Sequence, residues 1–298
     1  MRLVATVDTD LNRAEAAMRE YGAARCYDSV ERALADDDIV AVVVCLPHHL
    51  HAQVAIQAAE HGKHCLVEKP LCTSVADADA MIGAAEKNGT FLMVAHVLRF
   101  LATNRKAREL IQAGAIGKPL HIIERRLSYI ATPPTPWWSK ASEAGGLALA
   151  LNGSHSVDTI LWMTGERPVR VHAVARSSNP RWEGEDDFDL SVVTEGGTLV
   201  SIHHSFNSRF SCHDCVIIGS EGTLVLSRSA LSLNNEPLPV PANEMFVDQL
   251  RHFAESVLAG RQPRPSGGDG RAVVAVLEGA RLSIEHGATI NVKERFGA

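Results

Sequence analysis

A charged turn, Glu68-Lys69-Pro70, directly follows an apolar segment that ends at Val67. A lysine held at the end of a strand is placed to polarise or hydrogen-bond an alcohol hydroxyl. Pro70 removes a backbone donor and directs the chain out of strand geometry. An ordinary charged turn is the alternative, and the tripeptide alone leaves both interpretations open.

A histidine and an aspartate, His155 and Asp158, share one face of a predicted helix that follows Gly145-Gly146 and Asn152-Gly153. An imidazole titrates near neutral pH, so His155 is a candidate general base for an alcohol hydroxyl. A histidine at a helix start, satisfied by Asp158, is an equally good interpretation. Trp137-Trp138, in a Pro-rich loop upstream, could stack on a sugar-like face or hold the loop to the core.

Two further groups lie where apolar segments end. Pro47 is followed by His48, His49 and His51, whose successive positions make the rings diverge and argue against a shared metal. Two interpretations of these histidines stay open: one of them lies beside a nicotinamide or phosphate, or they simply begin a helix. Asp8 ends the first segment; an acid at this position of a dinucleotide-binding fold accepts hydrogen bonds from ribose hydroxyls. Alternatively, Asp8 caps the next helix.

Cysteine and histidine also form one pattern that resembles half a zinc site. Cys212 and Cys215 flank His213, with His203-His204 upstream. Structural zinc requires four convergent ligands, usually from two paired motifs, and Cys215 belongs to an apolar strand. The sequence therefore predicts no metal site, which metal analysis of the purified protein would test.

Composition excludes several functional classes. The 298 residues are 46% hydrophobic and 21% charged, with a net charge of −6 and no cluster of Lys and Arg. This argues against nucleic-acid binding. The longest apolar run, residues 39–46, is too short for a membrane span of about 20 residues. Six scattered cysteines and the lack of a secretory pattern at the start predict a reduced, cytoplasmic protein.

Strand and helix patterns alternate over residues 1–98, which predicts a doubly wound parallel α/β domain. The expected strands are Leu3–Val7, Ile39–Leu46, His64–Val67 and Phe91–Ala95, and the second of these reads as covered on both faces. Residues 99–298 instead predict an α+β domain with a large, mostly antiparallel sheet. Its two terminal helices are expected near residues 244–258 and 271–286.

These motifs occur in an order and at intervals that resemble the glucose–fructose oxidoreductase / inositol dehydrogenase / rhizopine-catabolism (Gfo/Idh/MocA) family. The matching segments are Pro47-(x)3-His51, Gly62-Lys63-His64-(x)3-Glu68-Lys69-Pro70, Ala95-His96-(x)2-Arg99-Phe100, Gly145-Gly146-(x)6-Gly153-x-His155-(x)2-Asp158 and Ser220-Glu221-Gly222-Thr223-Leu224. The resemblance covers essentially the whole chain. It implies NAD(P)-linked oxidation or reduction of a sugar, inositol or related polyol.

The resemblance also implies roles for individual residues. Lys69 would orient the substrate hydroxyl, and His155 would take its proton with Asp158 nearby. The cofactor would contact Asp8, Pro47, His51, Glu68, Lys69 and His96. The substrate pocket would include Lys69, His96, Arg99, Trp138, Asn152 and His155. Asp8 without a neighbouring Arg favours NAD over NADP, and the second domain's sheet would form a homodimer or homotetramer.

Two departures from the family pattern bear on activity. Leu151 stands four residues before His155, where the family usually has an acidic or polar residue, although Asn152 could partly substitute. The G-x-G-x-x-G loop expected about 20 residues before Asp8 is absent, as are the strand and helix around it. The Rossmann-like sheet is therefore expected to be incomplete, and NAD binding to be weak.

The missing strand is central in the usual order, so Leu3–Val7 and Ile39–Leu46 would face a gap. Either these strands close up, a swapped segment fills the gap, or the natural protein starts upstream of Met1. The alternative function is a non-catalytic relative that binds a sugar-like ligand or serves as an oligomer subunit. An in-frame glycine loop encoded upstream would favour the enzyme, and a stop codon would favour the relative.

Overall fold

The computed structural model describes residues 1–297 and begins with alternating strands and helices. The strands are β1 (Ala5–Val7), β2 (Arg25–Tyr27), β3 (Ala41–Val44), β4 (His64–Val67) and β5 (Leu92–Val94). The helices are α1 (Leu11–Tyr21), α2 (Val30–Leu34), α3 (His51–Glu60) and α4 (Val75–Lys87). Local sequence signals set the helix ends: Ser74 caps α4 by accepting from the Asp77 amide, and Gly22 ends α1 with φ +70°.

The parallel sheet of this half is divided into two parts. Strands β1 and β2 pair with each other, and β3, β4 and β5 form a separate sheet. Within residues 1–297 no ladder joins β1 to β3, so these two strands do not close up on each other. Val40 and Val43 are 61% and 51% exposed. The expectation that residues 39–46 are covered on both faces was therefore wrong: Val44 is buried, but the opposite face at Val43 is left open by the described residues.

The second half is built on one nine-stranded sheet, as expected. Its strands are β6 (Pro119–Tyr129), β7 (Pro168–Arg176), β8 (Asp187–Thr194), β9 (Leu199–Ser205), β10 (Asn207–Gly219), β11 (Thr223–Ser227), β12 (Leu231–Leu233), β13 (Glu236–Leu238) and β14 (Ile290–Asn291). The spatial order is β13-β12-β11-β10-β6-β9-β8-β7-β14, and only the central β6–β9 pair is parallel. Alternating burial along β8 and β9 places one face of the sheet against the core.

Helices cover that inner face and connect it to the first half. They are α5 (Ala102–Gln112), α6 (Ala141–Ala144), α7 (Ser154–Thr164), α8 (Met245–Leu258), α9 (Gly267–His286) and α10 (Val292–Phe296). Helix α9 contributes Val274 to the core of the first half and Leu277 to that of the second. Because one helix belongs to both cores, the division at residue 98 stays a prediction. No helix among the described residues is long and apolar enough to cross a membrane.

Candidate active site

Lys69 lies immediately after β4, at the carboxyl end of the three-stranded sheet. Its Nζ donates a 2.7 Å hydrogen bond to the Leu151 carbonyl, and its backbone N–H donates to Glu68 Oε2 at 3.1 Å. Burial lowers the pKa of Lys69 to about 8, since Glu68 only partly offsets the lost hydration and Arg126 adds a repulsive charge. The ammonium is therefore held in place and poised to lose its proton near neutral pH.

The partner of Lys69 comes from a wide turn just before α7. Residues Leu149–Gly153 form one turn of π-helix, a form that often marks functional sites. The Leu151 side chain is buried in the apolar core, while its carbonyl oxygen points to Lys69. Leu151 has no polar side chain at this position, but its backbone carbonyl accepts the hydrogen bond from Lys69.

His155 follows one turn later and is half-buried. Its Nδ1 is buried with no hydrogen-bond partner in residues 1–297, so Nε2 is the ring nitrogen that reaches the cleft. Burial, followed by the positive charges of Lys69 and Arg126, holds the pKa of His155 well below its usual value. The imidazole is neutral at pH 7. The charge of Lys69 acts on it, so the two side chains are placed as a proton acceptor beside an ammonium.

Asp158 does not bond to His155, contrary to one interpretation of their spacing. Its carboxylate accepts from Arg99 Nε and, at 2.7 Å, from Arg99 Nη2, and it lies 3.6 Å from His96 Nε2. Arg99 Nη1 also donates to Asp269, at 3.1 Å. Asp158 and Arg99 therefore form a buried ion pair behind the cleft. His96 Nε2 makes no hydrogen bond to this pair, and the predicted roles of Asp158 and Arg99 at the substrate stay predictions.

Replacing Arg99 by methionine is expected to lower the free energy of unfolding by about 3–5 kcal/mol, because it leaves the buried Asp158 carboxylate without its cation. Urea unfolding followed by circular dichroism measures this change. Arg32→Met, which breaks an exposed ion pair with Asp28, is the matched control and should cost far less. Equal losses in the two variants would show that the buried network is not stabilised by Arg99.

The sheet adds polar residues that the sequence analysis did not identify as part of the site. Arg126 on β6 lies in register with His204 on β9 and with His213 on β10. Arg126 Nη2 is 2.8 Å from the His213 ring, and Glu124 Oε1 accepts from Ser156 of α7 at 2.9 Å. Glu124 and Arg126 are two residues apart in strand β6 and so lie on one face of the sheet. Their spacing in the sequence could have predicted that they belong to one site.

Several polar atoms around this cleft are buried without a hydrogen-bond partner in the described part of the chain. They are both ring nitrogens of His96, Nδ1 of His155 and His204, Nε of Arg126 and Oε2 of Glu124. Each such atom costs about 1–3 kcal/mol if it stays unsatisfied. A ligand in the cleft would instead meet the partly exposed side chains of Asn152, Arg126 and His213, which offer both donors and acceptors, as hydroxyl groups require.

The remaining predicted residues lie around this centre in different roles. Asn152 Nδ2 contacts His204 Nε2 at 2.8 Å and does not contact His155. His51 is fully buried, and its two ring nitrogens lie 3.0 and 2.9 Å from the carbonyls of Pro70 and Leu46. It therefore holds the Lys69 turn in place and has no free nitrogen for a cofactor.

Three predicted positions lie farther out. Trp138 is half-buried and packs against the core of the second half, with its ring centre 6.1 Å from that of Trp137; its contact with the substrate stays a prediction. Pro47 starts the short 3₁₀ turn at the end of β3. Asp8 accepts the Asp10 amide at 2.9 Å, while Asp10 itself caps α1. Asp8 thus ends its strand as expected, with one oxygen engaged in the turn.

The half zinc pattern does not converge. Cys215 is buried and Cys212 is partly exposed, because residues three apart in a strand point to opposite faces. His213 instead contacts Glu124 and Arg126. No cluster of three or more His, Cys, Asp or Glu side chains arranged for a metal occurs in residues 1–297.

The molecule thus combines a divided Rossmann-like sheet with a large open sheet, and Lys69 of the first half contacts the turn that precedes His155 of the second. Residues 1–96 match the model for the NAD-binding Rossmann fold of the GFO/IDH/MocA oxidoreductases, and residues 104–225 match a C-terminal domain of the same group. The chain belongs to the GFO/IDH/MocA oxidoreductase family.

Individual relatives agree with this assignment. The chain is 28% identical to 1,5-anhydro-D-fructose reductase of Ensifer adhaerens, over 90% of this chain and 84% of that protein. It is 33% identical to an uncharacterized oxidoreductase, ORF334, of Rhizobium meliloti, over 89% and 77%. The glycerol complex of Caulobacter crescentus aldose-aldose oxidoreductase superposes with a TM-score of 0.89 at 28% identity, covering 97% of this chain and 91% of that one.

The family implies a nicotinamide cofactor, and the residues present fit one end of it. Lys69 and the unpartnered ring of His96 lie at the carboxyl ends of β4 and β5, where open α/β sheets bind ligands. Between β1 and β3, the described chain has no strand and no glycine-rich loop to hold a diphosphate. The described residues could therefore hold the nicotinamide end of the cofactor, but they include no glycine-rich loop that would bind its diphosphate.

Proposed function

We propose that this chain interconverts a hydroxyl and a carbonyl group on a sugar, inositol or related polyol. The partly exposed polar side chains beside Lys69 and His155, namely Asn152, Arg126 and His213, carry this proposal, because together they can pair with several hydroxyls at once. The named activities of relatives, including a Thermotoga maritima myo-inositol 2-dehydrogenase 25% identical over 99% of this chain, support the same substrate class.

The chain's own residues would handle the proton. Lys69 Nζ, held by the Leu151 carbonyl, donates a hydrogen bond to the reacting oxygen and stabilises negative charge on it. His155 Nε2, neutral because its pKa is depressed, accepts the hydroxyl proton. A bound nicotinamide supplies the hydride acceptor or donor. Arg126 and His213, both held by Glu124, orient the other hydroxyls.

We propose NAD rather than NADP as the cofactor, since a carboxylate at Asp8 repels a 2′-phosphate. Residues 1–298 are expected to bind NAD+ only weakly, because helix N-terminal amides and a glycine loop normally supply much of the diphosphate binding. Isothermal titration of the purified chain should give a dissociation constant well above the micromolar range. Micromolar affinity would contradict this expectation and show that another segment cradles the diphosphate.

The substrate class is tested by turnover at saturating NAD+ with a panel of aldoses, inositols and anhydrosugars. Reduced nicotinamide formed is read from its near-ultraviolet absorbance. We expect turnover of at least one polyhydroxylated compound and none of simple monohydric alcohols, which leave Asn152, Arg126 and His213 without hydroxyl partners. Equal rates on ethanol-like alcohols would remove the basis for a polyol enzyme.

A second function is favoured by one observation, the divided sheet. Without a diphosphate cradle, the same cleft would serve as a binding site for a sugar-like ligand in a cofactor-deficient relative. One experiment that measures both polyol binding and nicotinamide reduction distinguishes the enzyme from the binding protein. Saturable polyol binding with no nicotinamide reduction at any NAD+ concentration favours the binding protein, and turnover favours the enzyme.

The outer face of the nine-stranded sheet supports an assembly. Exposed apolar residues, including Val174 and Leu199, lie on the side opposite the covered core. We propose that this face pairs two copies of the chain, as a homodimer or within a homotetramer. A cytoplasmic location also stays a prediction, in agreement with six unpaired cysteines.

A further inference from the structure

A second cleft lies on the far side of Asp158 from the polyol site. It has a volume of about 570 Å³ and is bordered by α5, by the end of α7 and by the start of α9. The residues that line it include five arginines: Arg99, Arg108, Arg167, Arg264 and Arg271. Only three carboxylates line it with them, so the cleft carries an excess of positive charge in a chain whose net charge is −6.

The carboxylates of this cleft already have partners. Asp158 and Asp269 bind Arg99, and Asp269 also accepts from Arg264 at 2.8 Å. Glu166 accepts from the Thr194 hydroxyl. Arg271 is paired with Asp79, which does not line the cleft. The uncompensated positive charge of the cleft is therefore that of the remaining arginines.

Two arginines have no acidic partner in the described chain. Arg108 and Arg167 take part in no salt bridge within residues 1–297, although both line the cleft. The Arg108 guanidinium lies 4.7 Å from the centre of the Trp162 ring, which fixes its plane against an aromatic wall. Burial and the positive charge of Arg99 lower the pKa of Arg108. The negative charge around the Arg108 guanidinium therefore does not balance it.

We propose that this cleft binds a compact dianion, either a phosphate group or a small dicarboxylate. Fixed guanidinium planes recognise both through paired charge-assisted hydrogen bonds. Gly268 lies on the first turn of α9, whose N-terminal amides add to the positive potential. No residue proposed to act on the polyol, neither Lys69 nor His155, lines this cleft.

The test is isothermal titration of the whole chain with inorganic phosphate and with malonate, at constant ionic strength set by sodium chloride. We expect saturable binding of at least one of them. The double variant R108Q/R167Q should lose about tenfold or more in affinity, since it removes two charge-assisted contacts. R19Q/R32Q, which removes the same charge from exposed helices, is the matched control and should bind as the wild type does.

Either of two results overturns the proposal: no saturable binding of either anion, or equal affinity in R108Q/R167Q and the wild type. Preference for phosphate over malonate, or the reverse, identifies the class of dianion. Lys69→Met should bind the anion normally, because Lys69 is not part of this cleft. The anion site can therefore fail or stand independently of the proposed polyol activity.

Discussion

Replacing Lys69 by methionine is expected to lower kcat/KM for polyol oxidation by about 10²–10⁴-fold, the usual contribution of a positioned proton-handling group. Methionine matches the length of the lysine stem and removes both the donor and the charge at the reacting oxygen. Steady-state rates at saturating NAD+ measure the loss. Lys87→Met, in the last turn of α4, is the matched control and should keep wild-type rates.

The pH dependence separates a catalytic role of Lys69 from a structural one. With its pKa lowered to about 8, Lys69 is an ammonium below that pH and a neutral amine above it. Since the ammonium stabilises negative charge on the substrate oxygen, kcat/KM for oxidation should fall as the pH rises through about 8. In Lys69→Arg the cation does not titrate, so this alkaline decline should disappear even if the rate is lower. An unchanged alkaline decline in Lys69→Arg would assign it to another group.

Replacing His155 by asparagine is expected to lower kcat by about 10²–10³-fold, because an amide occupies similar space but accepts a proton poorly. The depressed pKa of His155 keeps the wild-type ring neutral, so the wild type should show no acid decline near the ordinary histidine pKa. His61→Asn, on the exposed end of α3, is the control. A decline centred near pH 6.5 in the wild type would contradict a neutral His155, and normal rates in His155→Asn would exclude it as the base.

Much of the architecture follows from local sequence signals. The Ser74 cap, the Gly22 stop and the alternation along β8 and β9 give the elements, and the motif order gives the family. The burial of strand β3 was predicted wrongly, because its apolar composition is typical of a strand with elements packed on both faces. Val43 is exposed since the face that carries it is not covered in the described chain.

The site was predicted less completely than the fold. Lys69 and His155 were recognisable from their places after a strand and at a helix start. The contact from Lys69 to the Leu151 carbonyl depends on a π-helical turn, and no pattern of residues in the sequence predicts such a turn. Asp158 and Arg99 were assigned to the cleft, yet their pairing follows from three-dimensional packing rather than from spacing. His204 and His213 meet Arg126 only through strand register, which one sequence does not fix.

The central claim is that the Lys69 amine and the His155 imidazole act on the same hydroxyl. A crystal structure of the chain with a polyol from the turnover panel tests it most directly. We predict that one hydroxyl oxygen lies within about 3.2 Å of both Lys69 Nζ and His155 Nε2. A well-ordered polyol whose hydroxyls contact these two atoms separately, or contact neither, would contradict the account.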